Sequence, residues 1–325
     1  MSALLLCVIR NGTLRMEVIE GIENYDCHGM PSCVTVGTFD GLHVGHRRII
    51  GELVDVSRRE GLRSVVITFD PHPRQVLCPD AVVKFVLTRC EKIRMFATLG
   101  VDVLVIHPFS REFAALCARD FLVDVLCGRM RMRHLVKGFN NHFGCDRLSD
   151  VGAIRALGVE HGFWVTQVDA ESCAGVSASS TLVRRLVMDG DMEEAANVLG
   201  YHFFVEGTVV HGRMIGRTIG FPTANLDIGC EDKLLPRCGA YVASVEIDGG
   251  TWRAVLNIGS NPTVNVDSSK IFLEVHIIDF DADIYGRSIK VNILHRIRDE
   301  KVFGSIAELR AQIVRDKDFA MSFSV

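Results

Sequence analysis

The chain is 325 residues long with a formal net charge of −4 and a pI near 6.3. That balance excludes nucleic-acid binding through general basicity, because counterion release needs clustered Lys and Arg. Eleven cysteines, odd in number and without a C-x-x-C pair, and twelve histidines without H-E-x-x-H or paired zinc spacing argue against a disulfide framework and a zinc site. The length favours two domains, and a hydrophobic fraction of 48% is enough for both cores.

The first apolar run, "ALLLCVI" (Ala3 to Ile9), has no positive residue before it and is followed by Arg10. It is too short to span a membrane and badly flanked for a signal peptide, so a cytoplasmic protein without a membrane partner is expected. "SCVTVGTF" reads as a buried strand, and Ile49, Ile50, Leu53 and Val54 then recur at helical spacing before a second strand, "LRSVVITFD" (Leu62 to Asp70). This β-α-β unit implies a parallel sheet with a right-handed crossover. "VDVLVIHPF", a helical stretch after Ser110, "HLVKGF" and "FWVTQVDA" continue the alternation, which predicts a doubly wound nucleotide-binding fold.

Around Ser179 the texture changes. Ser179 or Ser180 suits the cap of one helix, Asp191 with Glu194 forms a capping box for another, and Gly200 suits its end. Beyond this connector lie "FFVEGTVVHG", "GAYVASVEIDGGTWRAVLNIG", "IFLEVHIIDF" and "RSIKVNIL", alternating segments split by Gly, Asn and Asp turns. They predict a small antiparallel barrel or sandwich. A Ser305 and Glu308 capping box opens a closing helix that runs to Phe323.

Two stretches carry chemistry. "GTFDGLHVGH" follows the first strand of the parallel sheet, where loops meet helix N-termini whose free N–H groups favour anions. Gly37, Gly41 and Gly45 let the backbone approach a phosphate, and His43 and His46 can donate into one pocket. No G-x-x-x-x-G-K-S/T or G-x-G-x-x-G occurs at this strand, which excludes a P-loop. Asp40 and Asp70 are equally readable as ligands or as turn residues. "GRTIGFPTANL" (Gly216 to Leu226) puts Thr223 and Asn225 two residues apart on a stiff extended backbone, an oxygen pair suited to Mg²⁺. Glu274 lies on an alternating strand, opposite in direction to Leu273 and Val275. Taken alone, these residues are also explained by local hydrogen bonding and surface exposure.

From about Ile19 onward the chain resembles the prokaryotic bifunctional riboflavin kinase/FAD synthetases. "VGTFDGLHVGH" looks like that family's H-x-G-H nucleotide-binding loop, and "TFDPHPRQVL" like its second strand end along the flavin and phosphate pocket. "KGFNNHFG" is similar to its G-x-N/D-x-x-F-G segment, and "SSTLVRR" to its S-S-T-x-I/V-R motif. "GTVVHGRMIGRTIGFPTANL", "GAYVASV", "NIGSNPT" and "LEVHIIDFDADIYGR" resemble its flavokinase module. The resemblance implies a Rossmann-like nucleotidyltransferase domain over residues 1–186. A small Greek-key barrel kinase with a C-terminal helix would then fill residues 187–325.

In the first domain the resemblance implies that His43 and His46 hold ATP phosphates while FMN attacks the α-phosphorus and pyrophosphate leaves. Gly37, Phe39, Asp40 and Gly41 would line the nucleotide, and Asn140 would sit near the adenine or ribose. Ser180, Thr181 and Arg184 would complete the phosphate site. In the second domain Thr223 and Asn225 would contact Mg²⁺ and ATP phosphates under a loop from Gly216 to Gly220. Glu274 would take the proton of the riboflavin 5′-hydroxyl as it attacks the γ-phosphorus. Arg298 matches a family position near the flavin, and equally fits a surface salt bridge with Asp299 or Glu300.

Overall fold

Residues 5–8, 15–80, 82–169, 172–173, 176–212, 220–260 and 271–324 are described by a computed structural model, in which the chain packs as two units, Met1–Ser180 and Thr181–Val325. The expected loop residues Gly216 to Ile219, and the end of "NIGSNPT" from Asn261, lie outside the described residues.

The first unit begins with β1 (Leu5–Val8), β2 (Arg15–Glu20), β3 (Ser32–Val36), α1 (Val44–Glu60), β4 (Arg63–Phe69), α2 (Pro73–Leu77) and α3 (Arg89–Thr98). It continues through β5 (Val103–His107), α4 (Arg111–Ala114), α5 (Ala118–Asp120) and a wide helical segment Phe121–Arg129. β6 (Met132–Gly138), α6 (Val151–His161), β7 (Trp164–Val168), β8 (Ser172–Cys173) and β9 (Val176–Ser177) follow. The main sheet has the order β1-β2-β5-β4-β3-β6-β7. β2, β5, β4, β3, β6 and β7 run parallel, and β1 is antiparallel to β2. After β5 the chain returns to the other side of β3, so the strand order reverses between β3 and β6. In open sheets that reversal opens a crevice at the carboxyl ends of the strands, where ligands bind.

The β-branched runs form these strands because both faces of a parallel sheet are covered. Val34, Val65, Val103 and Leu135 are fully buried with Leu122 and Leu126 of the wide segment. On the other face α1 buries Ile49, Ile50, Leu53 and Val54, the spacing its sequence predicts. Gly61 in the left-handed conformation ends that helix.

α7 (Ser180–Asp189) opens at the last residue of the first unit. In the second unit α8 (Met192–Leu199) starts with the Asp191 side chain accepting from Glu194 N and ends at left-handed Gly200. β10 (Phe204–Val210), β11 (Ala224–Asp227), β12 (Gly239–Ile247), β13 (Gly250–Ser260), β14 (Ile271–Ile277) and β15 (Ser288–Asp299) close an antiparallel barrel in the order β10-β11-β14-β13-β12-β15. β15 beside the β12-β13-β14 meander is a Greek key. Asp248 and Gly249, with φ of 50° and 85°, make the two-residue turn between β12 and β13, the geometry that matches the strands' twist.

Tyr241, Leu256, Val275, Val291 and Ile293 are fully buried on the inner positions of the alternation. α9 (Ile306–Ser322) packs outside, with Ala320 against Val242, Val255, Ile278 and Leu294. Ser305 caps it as expected, but the reciprocal bond runs from Gly304 N to Glu308 Oε2 at 3.0 Å, one residue earlier than a standard capping box. Arg298 bonds neither expected carboxylate. Its guanidinium pairs with Asp316 of α9, through Nη2 to Oδ2 at 2.8 Å and Nε to Oδ2 at 3.0 Å, and reaches Asp299 only through its carbonyl at 2.9 Å. Asp316 is buried, and a buried carboxylate demands such a partner.

Candidate functional sites

β3 sits at the point where strand order reverses, and the loop after it, Gly37 to His43, is wound tightly. Phe39, Gly41 and Leu42 have positive φ values of 46°, 83° and 39°, an expense tolerated where burial over-determines the backbone. Phe39 and Leu42 are buried, and the Phe39 ring meets Phe96 edge-on at 5.7 Å and His46 at 5.2 Å. At Gly41 any Cβ would press on Val86 Cγ1 at 3.0 Å, so the tight turn and the close approach both select glycine. The Asp40 carboxylate accepts from Val86 N at 3.1 Å and Leu87 N at 3.4 Å, which ties the loop to the segment leading into α3. Ser180 Oγ donates to Asp40 O at 2.7 Å, so the first residue of α7 is fastened to the same loop.

His43 is the N-cap of α1, and its Nδ1 accepts from His46 N at 3.4 Å. The two imidazoles stack with centroids 3.7 Å apart and 22° between planes. Burial pushes His43 down to about 4 against the raising influence of Asp40. It pushes His46 well below the ordinary imidazole range too, with His43 and Lys92 adding in the same direction. Both rings are therefore neutral at physiological pH. His46 Nδ1 is buried with no hydrogen-bond partner among the described residues, which is uncommon for a buried polar atom. Two stacked imidazoles beside the free amides of a helix N-terminus gain protons easily only when an anion arrives.

That neutral pair predicts an acid liability. The unfolded chain binds protons below about pH 6.5, while folded His43 stays neutral to about 4. Its contribution is therefore complete above about pH 6.5 and lost as pH falls through that window, on the order of 3 kcal/mol. Urea unfolding of wild type and His43→Gln at pH 7.5 and 4.5 should show wild type losing more stability on acidification than the variant.

Across the crevice, Asn140 is exposed in the turn after β6. Its neighbour Asn141 donates Nδ2–H to Val36 O at 2.8 Å. The second asparagine of the "NNH" run thus joins the ends of β3 and β6. Asp70 pairs with Arg89 Nη1 at 2.8 Å. Gly37 lies at the end of β3, where a Cβ would meet the Phe39 ring at 3.1 Å. Thr181 and Arg184 lie on α7 in the second unit, and their assignment rests on the motif.

In the second unit, pairing places the other expected residues in one row. Asn225 is in register with Glu274, and Glu274 with Asn257. Directly opposed residues share a face, and their neighbours Leu226, Leu273, Val275, Leu256 and Ile258 are buried inside the barrel. The row therefore projects outward. His276, two residues beyond Glu274 on the same face, bonds through Nδ1 to Pro222 O at 2.9 Å, and the Phe221 ring meets it edge-on at 5.4 Å. This contact fixes the chain at Pro222, immediately before Thr223. His276 and Asn257 escape a motif search, though their period-two relation to Glu274 and cross-strand register would reveal them once strands are paired.

Gly220, with φ of 85°, enters this corner, and Gly220, Phe221, Pro222, His276, Phe280 and Lys317 are among the residues lining a cleft beside it. Gly212 approaches the Asn225 amide so closely that a Cβ would lie 2.0 Å from Nδ2. Gly212→Ala should consequently displace Asn225 and, on the role the resemblance implies for that residue, lower riboflavin phosphorylation by about tenfold or more while the melting temperature stays near wild type. Kinase assay and thermal melting of the same preparation check this. The donors available here are hard oxygens, the Thr223 hydroxyl and the Asn225 carbonyl, which fit Mg²⁺ when phosphate and water supply the other positions. No cluster of three or more His, Cys, Asp or Glu able to hold a metal occurs among the described residues.

Comparison with known proteins agrees with this division. Residues 28–182 match the FAD synthetase family model and residues 199–324 the riboflavin kinase model. The chain is 37% identical to a bifunctional riboflavin kinase/FMN adenylyltransferase of Escherichia coli (strain K12), over 95% of this chain and 98% of that one. It is 34% identical to the protein of the same description from Bacillus subtilis (strain 168), over 90% and 92% of the two chains. A solved structure from Streptococcus pneumoniae described as a macrolide-efflux protein is 33% identical, covers 94% of this chain and 99% of its own, and superposes with a TM-score of 0.85. Among the described residues no helix is long and apolar enough to cross a membrane. The chain belongs to the family of bifunctional riboflavin kinase/FMN adenylyltransferases.

Proposed function

We propose that the chain performs two successive ATP-dependent steps, with residues 187–325 phosphorylating riboflavin to FMN and residues 1–186 adenylylating FMN to FAD with release of pyrophosphate. The observation that supports this most is the stacked neutral pair His43–His46 at the start of α1, beside the strand-order reversal. In the adenylyl step the FMN phosphate oxygen attacks the α-phosphorus of ATP. Gly37, Phe39, Asp40 and Gly41 shape the loop, and Asp40 works through its backbone amide partners by holding that loop in place. His43 and His46 donate N–H to the phosphoryl oxygens as charge builds, and Ser180 keeps the next helix start against the loop. Asn140 contacts the nucleoside. The work is positioning and electrostatic stabilisation.

In the kinase step Glu274 accepts the ribityl 5′-hydroxyl proton as that oxygen attacks the γ-phosphorus, the bond from the γ-phosphorus to the bridging oxygen breaks and ADP leaves. Thr223 and Asn225 would hold Mg²⁺, which when bound offsets phosphate charge, and Gly220, with its positive φ, turns the chain toward Phe221 and Pro222 beside them. The in-register pairing of Asn225 with Glu274 supports this arrangement, since it brings the oxygen donor and the base onto neighbouring strands of one face. Riboflavin, FMN and ATP are the small-molecule partners, and the site of action is the cytoplasm.

The two activities belong to separate domains on this reading. α8 packs on β15 within residues 187–325. A fragment of residues 187–325 should make FMN from riboflavin and ATP but no FAD. Chromatography of its products tests this, and a fragment that is folded yet inactive would contradict separable domains.

A further inference from the structure

Lys92 lies in the first turn of α3, where the helix macrodipole disfavours a cation. Its side chain nevertheless folds back to the His43–His46 loop, and Nζ donates to Thr38 O at 3.1 Å. That carbonyl already accepts from Thr68 Oγ1 at 3.1 Å, so Lys92 is not needed to satisfy it. The two carboxylates that act on the Lys92 charge make their direct bonds elsewhere, Asp40 with the amides of Val86 and Leu87 and Asp70 with Arg89. Among the described residues no carboxylate forms an ion pair with Lys92. Burial lowers its pKa, and it depresses that of His46 in turn. Asp40 and Asp70 stabilise the buried ammonium at a distance, but among the described residues its one hydrogen bond is to Thr38 O, which leaves it further N–H donors beside His46.

Resting on the adenylyl-transfer reading of this loop, we infer that Lys92 is a further substrate-binding residue of that site, with its ammonium taking a phosphate group of the reactants alongside His46. Phosphate oxygens can come from FMN or from ATP, and both present the same anionic chemistry to Nζ. A bound phosphate would then supply the direct ionic partner that, among the described residues, no carboxylate provides.

The test is FMN-to-FAD turnover by the full chain with FMN supplied, varying FMN and ATP separately, for wild type, Lys92→Met, Lys92→Gln, Lys92→Arg and His46→Ala. Riboflavin phosphorylation and melting temperature serve as folding controls, and Lys92→Gln carries the test if Lys92→Met does not fold. Both uncharged variants should lower kcat/KM by about 10- to 100-fold, chiefly through KM, with Lys92→Arg restoring part of it. A raised KM for FMN assigns the flavin phosphate; a raised KM for ATP assigns the nucleotide. Unchanged KM for both substrates, or a fall in kcat alone, would overturn the inference and leave Lys92 as a tether for Thr38. Full activity in His46→Ala would instead overturn the underlying reading of the loop.

Discussion

His46→Ala should lower FAD formation from supplied FMN by about 100- to 1,000-fold, the range expected when one donor to a developing phosphoryl charge is removed. The expected selectivity follows from the division of the chain, since His46 belongs to Met1–Ser180 and the proposed kinase residues to Thr181–Val325. Riboflavin phosphorylation should therefore be unchanged. His46 Nδ1 lacks a hydrogen-bond partner among the described residues, and Phe39 packs on the ring edge-on, so truncation removes a packing contact as well as a donor. His46→Gln separates these effects by retaining bulk and an N–H. Recovery of FAD synthesis in the glutamine variant above the alanine level would assign the loss to the donor. A His46→Ala enzyme that makes FAD at the wild-type rate would contradict the role given to the pair.

The complementary expectation concerns the barrel. Glu274→Ala should lower FMN formation by about 100- to 10,000-fold, the span usual for a general base, while conversion of supplied FMN to FAD persists. Glu274 lies half-buried on the outer face of β14, and the strand's inward contacts come from Leu273, Val275 and Ile277. Replacement of an outward side chain leaves the barrel interior intact, so lost activity with an unchanged melting temperature is expected. Glu274→Gln, similar in size and unable to accept the proton as a carboxylate does, should be almost as impaired. Steady-state kinase kinetics of the two variants, with circular-dichroism melting, check both points. A Glu274→Ala enzyme with wild-type FMN production would remove Glu274 from the mechanism.

Why some features were legible and others not follows from sequence distance. The strand at Ser32–Val36, the buried face of α1 and the capping of α8 and α9 depend on residues within a few positions of one another, and local pattern reveals them. His43 and His46 are three apart, as the Thr223 and Asn225 pair is two apart, so motif spacing brought each pair together before any fold was known. The rest required pairing across long separations. Lys92 reaches Thr38 over 54 residues and Asn141 reaches Val36 over 105; neither separation leaves a periodic trace.

Arg298 illustrates the same limit. The adjacent acids Asp299 and Glu300 suggested a local salt bridge, but β-strand alternation points a side chain away from its immediate neighbours. α9 instead brings Asp316 against the outer face of the barrel, where Gln312 Nε2 adds a second bond to it at 2.8 Å. Asp40 is similar: between ligand and turn residue, its carboxylate is taken by two amides 46 and 47 residues away, a long-range clamp that neither local reading contained. The Asn225–Glu274–Asn257 row likewise exists only through the register of three strands.

The most direct measurement is a chromatographic time course of the purified full chain with riboflavin, ATP and Mg²⁺, following riboflavin, FMN and FAD separately. FMN should rise first and FAD after it, with FAD formation from supplied FMN independent of the kinase step. FMN that accumulates without ever giving FAD would contradict the role assigned to the His43–His46 loop, and the absence of any phosphorylated flavin would contradict the account of the barrel.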